Sequence, residues 1–420
     1  MTAVPPGGSR PPPAAPSAFA PLANRAFLGL WVANLLHNIG GWMQTTGAAW
    51  EMTSLTAEPI FVALLSAAGT LPMFLFCFLS GVLADRFDRR RYLIGCQLWM
   101  MAVAGALAAL AYFGWLTPWN LLLLTFCMGI GNAMNAPAWH AVVPEIVTGH
   151  QLRQAIALNS AGFNIARTIA PVIGQILLSA VGVFLLFAIN SLTFVFVILA
   201  LLAWRLSAEA RASQRREGYL EAAGAGIAFV RGSAELRAIF ARGICFFVPG
   251  IAMGTLLPVI GRFELGLDEF DFGILYGIFG VGAVGAAMAM PLVNRLLGAD
   301  RANIWAMAVS AIATLAAALA MTPLLVGLVV AINGACWITV IANNGAAVQM
   351  ILPNYMRARG MAVHQMVFFG AMVVGSLIWG NVADWFGVRV ALAASALALA
   401  PMTLLAATIR LPGSASSPRV

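Results

Sequence analysis

Gly81-Val82-Leu83-Ala84-Asp85-Arg86-Phe87-Asp88-Arg89-Arg90-Arg91 places a burst of charge directly after some twenty nearly uncharged residues. Charged side chains are expelled from hydrocarbon and collect where a helix leaves it. The stretch therefore reads as a short polar hinge between two membrane helices.

The rest of the chain repeats that alternation. Hydrophobic residues make up 61% of it, charged residues only 9%, and mean hydropathy is +0.91. A spanning helix needs about 20 apolar residues, so a chain of 420 residues holds roughly a dozen spans with short loops between them. The pattern predicts an all-α membrane protein with helices near 25–50, 59–84, 92–114, 118–143, 153–181, 183–205, 237–261, 271–293, 302–321, 323–351, 358–382 and 388–409. Residues 1–24 are rich in Pro, Ala, Gly and Ser, too poor in apolar surface to fold, and are expected to form a disordered cytoplasmic tail. No basic head and short apolar core precede residue 25, so the first span itself targets the chain. Residues 411–420 are read as a cytoplasmic C-terminal tail. The five cysteines, Cys77, Cys96, Cys127, Cys245 and Cys336, sit inside apolar runs without Cys-x-x-Cys spacing. They read as reduced packing residues, and neither a metal site nor a cofactor is expected.

Net charge is +8, from 23 arginines and no lysine against 15 acids. Topology explains this better than a nucleic-acid partner does. With the N-terminus inside, 20 arginines fall on the cytoplasmic side, only Arg262 and Arg389 fall outside, and Arg167 lies within the membrane. Cytoplasmic loops retain their basic residues during insertion, so both termini are expected inside a bacterial inner membrane. The longest polar break, 206–236, separates two six-helix halves, 25–205 and 237–410. Within it Glu217 to Arg231 carries Leu220, Ile227 and Val230 at helical spacing, as an amphipathic helix lying on the inner leaflet would. Val143-Pro144-Glu145 has a counterpart in Leu352-Pro353-Asn354. Gly380-Asn381-Val382-Ala383-Asp384-Trp385-Phe386-Gly387-Val388-Arg389 echoes the first hinge on the opposite side of the membrane.

The pattern Gly-x-x-x-Asp-Arg-x-x-Arg-Arg from Gly81 to Arg90 resembles the loop between helices 2 and 3 of the major facilitator superfamily of secondary transporters. Gly40-Gly41-Trp42-Met43-Gln44, Pro144-Glu145, Leu158-Asn159-Ser160, Asn164-Ile165-Ala166-Arg167 and Pro171-Val172-Ile173-Gly174 are similar to the bacterial branch that includes the enterobactin exporter and related drug and siderophore efflux proteins. The resemblance is collinear from residue 24 to 410. It implies inverted three-helix repeats within each half, a substrate site near the midplane, alternating access, and protons as coupling ion; the chain is expected to act as a monomer. By the same resemblance Asp85 docks on the start of helix 11 near Arg357 or Arg359, and Arg86 or Arg89 pairs with Glu145. Gly81, Asp85, Arg86, Arg89, Arg90 and Glu145 then form a conformational hinge. Asp88 stands where the superfamily has Gly, at a turn expected to be left-handed. Two departures are plain: Gly41 replaces the acid of many drug exporters, and Ala170-Pro171 replaces Gly-Pro in the helix 5 motif of Pro171 and Gly174.

Arg167 lies 14 residues after Arg153, about 21 Å along a helix, close to the membrane midplane. An unpaired arginine there costs upwards of about 2.5 kcal/mol. Ser160, Asn164, Arg167, Pro171 and Gly174 form one polar, small-residue stripe. Two roles are open: Arg167 lines a cavity and attracts an anionic group, or it clamps carbonyls of helices 1 or 4. Helix 1 adds Asn34, Asn38, Gly41 and Thr45, flanked by His37 and Gln44, and helix 4 adds Asn132, Asn135 and Trp139. In the second half Asn343, Asn344, His364 and Gln365 are the polar candidates. Any one Asn is commonly helix glue; as a set they outline a mostly neutral, aromatic-lined cavity with one positive point, suited to a small-molecule amphipath. No acid lies in mid-helix, and Glu51, His37 and His364 are the coupling candidates. A proton-independent facilitator or importer is an alternative. A polytopic enzyme or sensor is disfavoured, since neither paired carboxylates, His-x-x-x-His, Gly-x-x-x-x-Gly-Lys nor a long soluble loop occurs.

Overall fold

The computed structural model describes residues 19–147, 151–204, 219–353 and 355–409, and all regular structure among them is helical. In chain order the helices are α1 (Arg25–Leu55), α2 (Pro59–Arg86), α3 (Arg89–Tyr112), α4 (Pro118–Ile146), α5 (Leu152–Ala203), α6 (Tyr219–Gly232), α7 (Ala234–Val259), α8 (Glu269–Leu297), α9 (Ala299–Leu319), α10 (Pro323–Ile351), α11 (Arg357–Phe386) and α12 (Val388–Thr408). Ten helices among the described residues are long and apolar enough to cross a membrane. One of these, α5, holds both the fifth and the sixth expected spans, because its 52 residues break at Gly182, whose φ of 78° is open only to glycine at no steric cost. The helix α1 is not among the ten: it is 31 residues long, but its Asn, Gln and Thr side chains dilute its apolar character. All twelve expected spans are thus present as helices, and α6 occupies the expected amphipathic segment.

Local chemistry sets the ends. Asn24, Asp88, Ser233, Asp268 and Thr322 each accept a backbone N–H of the helix that follows, and such caps contribute about 1 kcal/mol each. The second and third helices of successive three-helix units are joined at Gly182, Gly298 and Gly387, all with positive φ. In the first unit the same junction is capped by Asp88 at φ −55°. That corrects the left-handed turn expected at Asp88: its carboxylate accepts from the Arg91 N–H at 3.0 Å, which needs an extended cap instead. The recurrence of this junction fits a fourfold repeat of three-helix units.

Of the tail expected to be disordered over 1–24, residues 1–18 lie outside the described residues. Ala20–Ala23 forms a 3₁₀ turn with Pro21 buried, and Asn24 caps α1. The helix α6 docks by Ile227 and Val230 against Leu236, Ile239, Phe240 and Val363 of the second half. The helix α7 ends in a π turn over Ile260–Glu264, an irregularity frequent at functional sites.

The two halves meet where α2 packs on α11 and α5 on α8. Hydrocarbon surroundings give helices no hydrophobic reason to associate, so close backbone approach must do it. At Gly280 an added Cβ would stand 2.9 Å from Thr168 Cα, and at Gly273 2.7 Å from Gln175 Cβ. Any larger residue at either position would push α8 off α5. Large apolar side chains such as Leu123, Ile156, Leu192, Ile312 and Leu404 are exposed on the outside of the bundle, as a lipid-facing surface requires.

Candidate functional site

At the hinge end Arg89 and Glu145 form an ion pair, one of the two pairings expected; the other, through Arg86, falls on a side chain outside the described residues. Arg90 donates from Nη2 to the Leu202 carbonyl at 2.5 Å. These contacts join the start of α3 to the ends of α4 and α5, so they brace one half from within. Glu145 stands beyond the apolar stretch Pro118–Trp139; burial raises its carboxyl pKa, Arg89 pulls it back, and Asp88 adds a smaller upward push. The side chains of Gly81, Asp85 and Arg86 lie outside the described residues, as do that of His140 and all of Arg205 to Gly218.

The second half has a matching brace that the sequence reading did not single out. Arg242 on α7, only 2% exposed, pairs with Asp300 at the start of α9. It also donates to the Ile409 carbonyl at 2.9 Å and to the Asp300 carbonyl at 3.3 Å. One guanidinium ties the start of α9 and the end of α12 to α7.

Arg167 sits between the halves. Its guanidinium carbon is 5.9 Å from the ring centre of Trp42 on α1 and 5.5 Å from that of Phe279 on α8. Cations are attracted to aromatic faces at such separations. Among the described residues its five N–H groups reach no hydrogen-bond acceptor, so the carbonyl clamp is not formed. Phe163 meets Trp42 edge-on at 6.2 Å, and Tyr276 lies 6.4 Å from Phe279. The site is one fixed positive charge walled by rings from both halves.

The other polar candidates divide. Asn38 donates to the Asn34 carbonyl and Asn164 to the Ser160 carbonyl, both at 2.8 Å within their own helices. Asn34 and Asn38 are half-buried; Asn132, Asn164 and Gln365 are exposed. Several expected cavity residues are glue instead. Gln44 is buried and accepts from Asn190, and Asn135 is buried and accepts from Gln97 at 3.0 Å. Asn343 and Asn344 join Asn294 and Asn303 in an amide ladder linking α8, α9 and α10 at 2.9 to 3.0 Å. His37 packs 5.1 Å from Phe194 with a buried Nδ1 that has no hydrogen-bond partner among the described residues, and His364 stacks 5.8 Å from Phe240; each meets a ring of its own half. Pro171 is buried, and a Cβ on Gly174 would stand 3.0 Å from Met43 Cα, so this motif sets how closely α5 approaches α1.

At the end of the bundle away from the hinge, the halves are latched. Trp50 on α1 donates from Nε1 to Glu269 Oε1 at 3.1 Å and stacks on Phe272 at 4.7 Å. The π turn aims Arg262 over the Trp50 ring at 5.1 Å, and its Nη1 donates to Thr53 and Ser54 at 3.2 and 2.5 Å. Glu51 shares this cluster, within electrostatic reach of Arg262 and Glu269. Met52, Val62, Leu256, Leu257 and Ile260 bury the space beneath it. Below the latch, Gln175 is fully buried, and among the described residues neither of its amide atoms finds a hydrogen-bond partner.

Comparison with known proteins gives the family and the fold. A family model described as transmembrane secretion effector matches residues 16–419. Macrolide efflux protein A of Streptococcus pyogenes is 23% identical over 269 residues, 60% of this chain and 66% of that protein. The staphyloferrin A transporter of Staphylococcus aureus is 22% identical over 261 residues, 62% of this chain and 65% of that protein. The multidrug efflux pump Tap of Mycolicibacterium fortuitum is 23% identical over 388 residues, 89% of this chain and 92% of that protein. The chain thus spans about two thirds of the first two relatives and most of the third. Among solved structures, the nucleoside transporter NupG superposes with TM-score 0.73 at 11% identity, over 91% of this chain and 98% of that one. A bacterial homologue of the iron transporter ferroportin in an inward-facing state gives 0.66 at 15%, over 91% and 99%. At those identities the structures share the major facilitator fold.

Proposed function

The chain belongs to the transmembrane secretion effector family, a family of transporters and not of enzymes, and from that premise we propose proton-coupled export of a small amphipathic anion by alternating access. The observation that carries the reading is Arg167, a cation between Trp42 and Phe279 with its donors unclaimed among the described residues. A guanidinium fork binds a carboxylate or phosphate through two parallel N–H bonds, while the flanking rings take up the apolar body of the solute. The relatives' names speak of macrolides, staphyloferrin A and multiple drugs; the anionic character proposed for the solute rests on Arg167 alone.

In this reading the far end is extracellular, as the arginine asymmetry favours, and the latch is the outer gate. Leaving the Gln175 amide buried and unpaired costs about 1–3 kcal/mol, which opposes closure and keeps the two states close in energy. Phe279 belongs to the second half, so parting the halves strips one ring from Arg167 and exposes the bound anion to the outside. Glu51 is the proposed proton carrier: protonating it removes a negative charge beside Arg262 and reshapes the latch. The hinge at Asp85 and Arg86 is proposed to brace the outward-facing state, with His37 and His364 as lesser coupling candidates.

A proton-independent facilitator or importer is the second reading, favoured by one observation. Among the described residues no Asp or Glu stands in the middle of a span. Inside-out vesicles carrying the protein separate the two. With an acid interior the exporter concentrates an aromatic carboxylate above the bath level, and a protonophore collapses the gradient. Simple equilibration that ignores the protonophore would establish the facilitator.

A further inference from the structure

The back of α1 carries a groove that the transport cycle does not use. It is about 370 Å³ and is lined by Arg25, Leu28, Gly29, Val32 and Leu36 of α1 and Phe196 of α5. At 3.6 residues per turn these α1 positions lie roughly opposite the stripe of Asn34, Asn38, Gly41 and Thr45, so the groove opens away from the inter-half site. Leu28, Val32 and Phe196 are 39, 41 and 47% exposed, and a Cβ on Gly29 would meet nothing within 4 Å. This is space between two helices on the hydrocarbon face.

Its length and its charge identify what fills it. From Arg25 to Leu36 the helix rises about 16 Å, close to half of a hydrocarbon core roughly 30 Å thick, so the groove runs from headgroup level to the midplane of one leaflet. At the headgroup end stands Arg25, exposed and, among the described residues, in no ion pair. Below it the lining is entirely apolar.

We infer that this groove is a binding site for one anionic phospholipid, its phosphate on Arg25 and one acyl chain along Gly29 against Phe196. The leaflet facing the arginine-rich end is where anionic lipid would be drawn, because each arginine near such a surface contributes about 1 kcal/mol. The site is separate from Arg167 and independent of the direction of transport. It provides a reason for a charged residue at the first position of α1 and for the missing side chain at Gly29.

Native mass spectrometry of the purified full chain, exchanged into mixed phosphatidylglycerol and phosphatidylcholine, tests it. The wild-type protein should retain one phosphatidylglycerol with about fivefold preference over phosphatidylcholine, the factor one arginine is worth. Arg25→Gln should abolish the preference while leaving the amount of lipid bound unchanged. Gly29→Leu should fill the groove and reduce retention of both lipids, and the open space at its Cβ lets the variant fold. Equal retention of the two lipids by wild type, or an undiminished preference in Arg25→Gln, would overturn the site. So would an equal effect of inorganic phosphate alone, which would leave the acyl groove without a role.

Discussion

Replacing Arg167 with Met is expected to raise the apparent KM for anionic substrates about 10- to 100-fold, while neutral analogues change by no more than about threefold. A hydrogen-bonded contact to a charged group is worth about 1.5–3 kcal/mol, which corresponds to that factor. The protein should still insert and purify in normal yield. Arg167 holds no carbonyl among the described residues, and removing an unpaired charge from the membrane interior relieves a cost of upwards of about 2.5 kcal/mol. Arg167→Lys should fall between, since it keeps the charge without the planar fork. The measurement is transport of an aromatic carboxylate and its neutral amide across the three proteins. A heat-labile Arg167→Met protein with uniformly reduced rates would return Arg167 to the role of a clamp.

The opposite pattern is expected at Arg242. This guanidinium is 2% exposed and joins Asp300 to the Ile409 carbonyl. Arg242→Met would leave the Asp300 carboxylate, itself 18% exposed, beside an apolar side chain. Breaking one partner of a buried pair costs about 3–5 kcal/mol, so the denaturation midpoint should drop on the order of 10 °C, yield should fall, and transport should fall for every substrate alike. Removing the second charge as well, in Arg242→Met with Asp300→Leu, should recover more than half of the loss, because a buried ion pair is mainly costly when halved. Chromatographic thermal scans of the wild type and the two variants read this out; a stable Arg242→Met single variant would show that the brace is solvated and unimportant.

How much of this was legible in the sequence depends on how local each feature is. Span positions follow from twenty-residue apolar runs, and the structure finds a helix at every one. Asp88 was legible as a turn residue, but its role as a cap rather than a left-handed turn depends on where the Arg91 N–H points. Polar residues inside spans were not separable into glue and cavity. Gln44 and Asn135 have the same composition signature as Asn132 and Asn164, and only their partners, Asn190 and Gln97, decide the matter. Arg242 was hidden among arginines that orient the chain. The latch joins Trp50 to a residue 219 positions away, which no spacing argument reaches; its sequence signals were Glu51 and Arg262, the latter a rare arginine on the expected outer side. Arg167 stood out because charge at the midplane is costly enough to demand an explanation, and its ring partners Trp42 and Phe279 were not readable.

Alternating access about Arg167, with the Trp50 latch as one gate, is tested most directly by a distance across the far end. Spin labels on Glu58→Cys in the first half and Asp271→Cys in the second, both exposed positions, report it by pulsed electron resonance. Two distances are expected in the lipid bilayer, a short one with the latch closed and a longer one with it open. An aromatic carboxylate should shift their ratio in the otherwise wild-type protein but not in the Arg167→Met background. A single distance that no substrate moves, or an equal shift with and without Arg167, would contradict it.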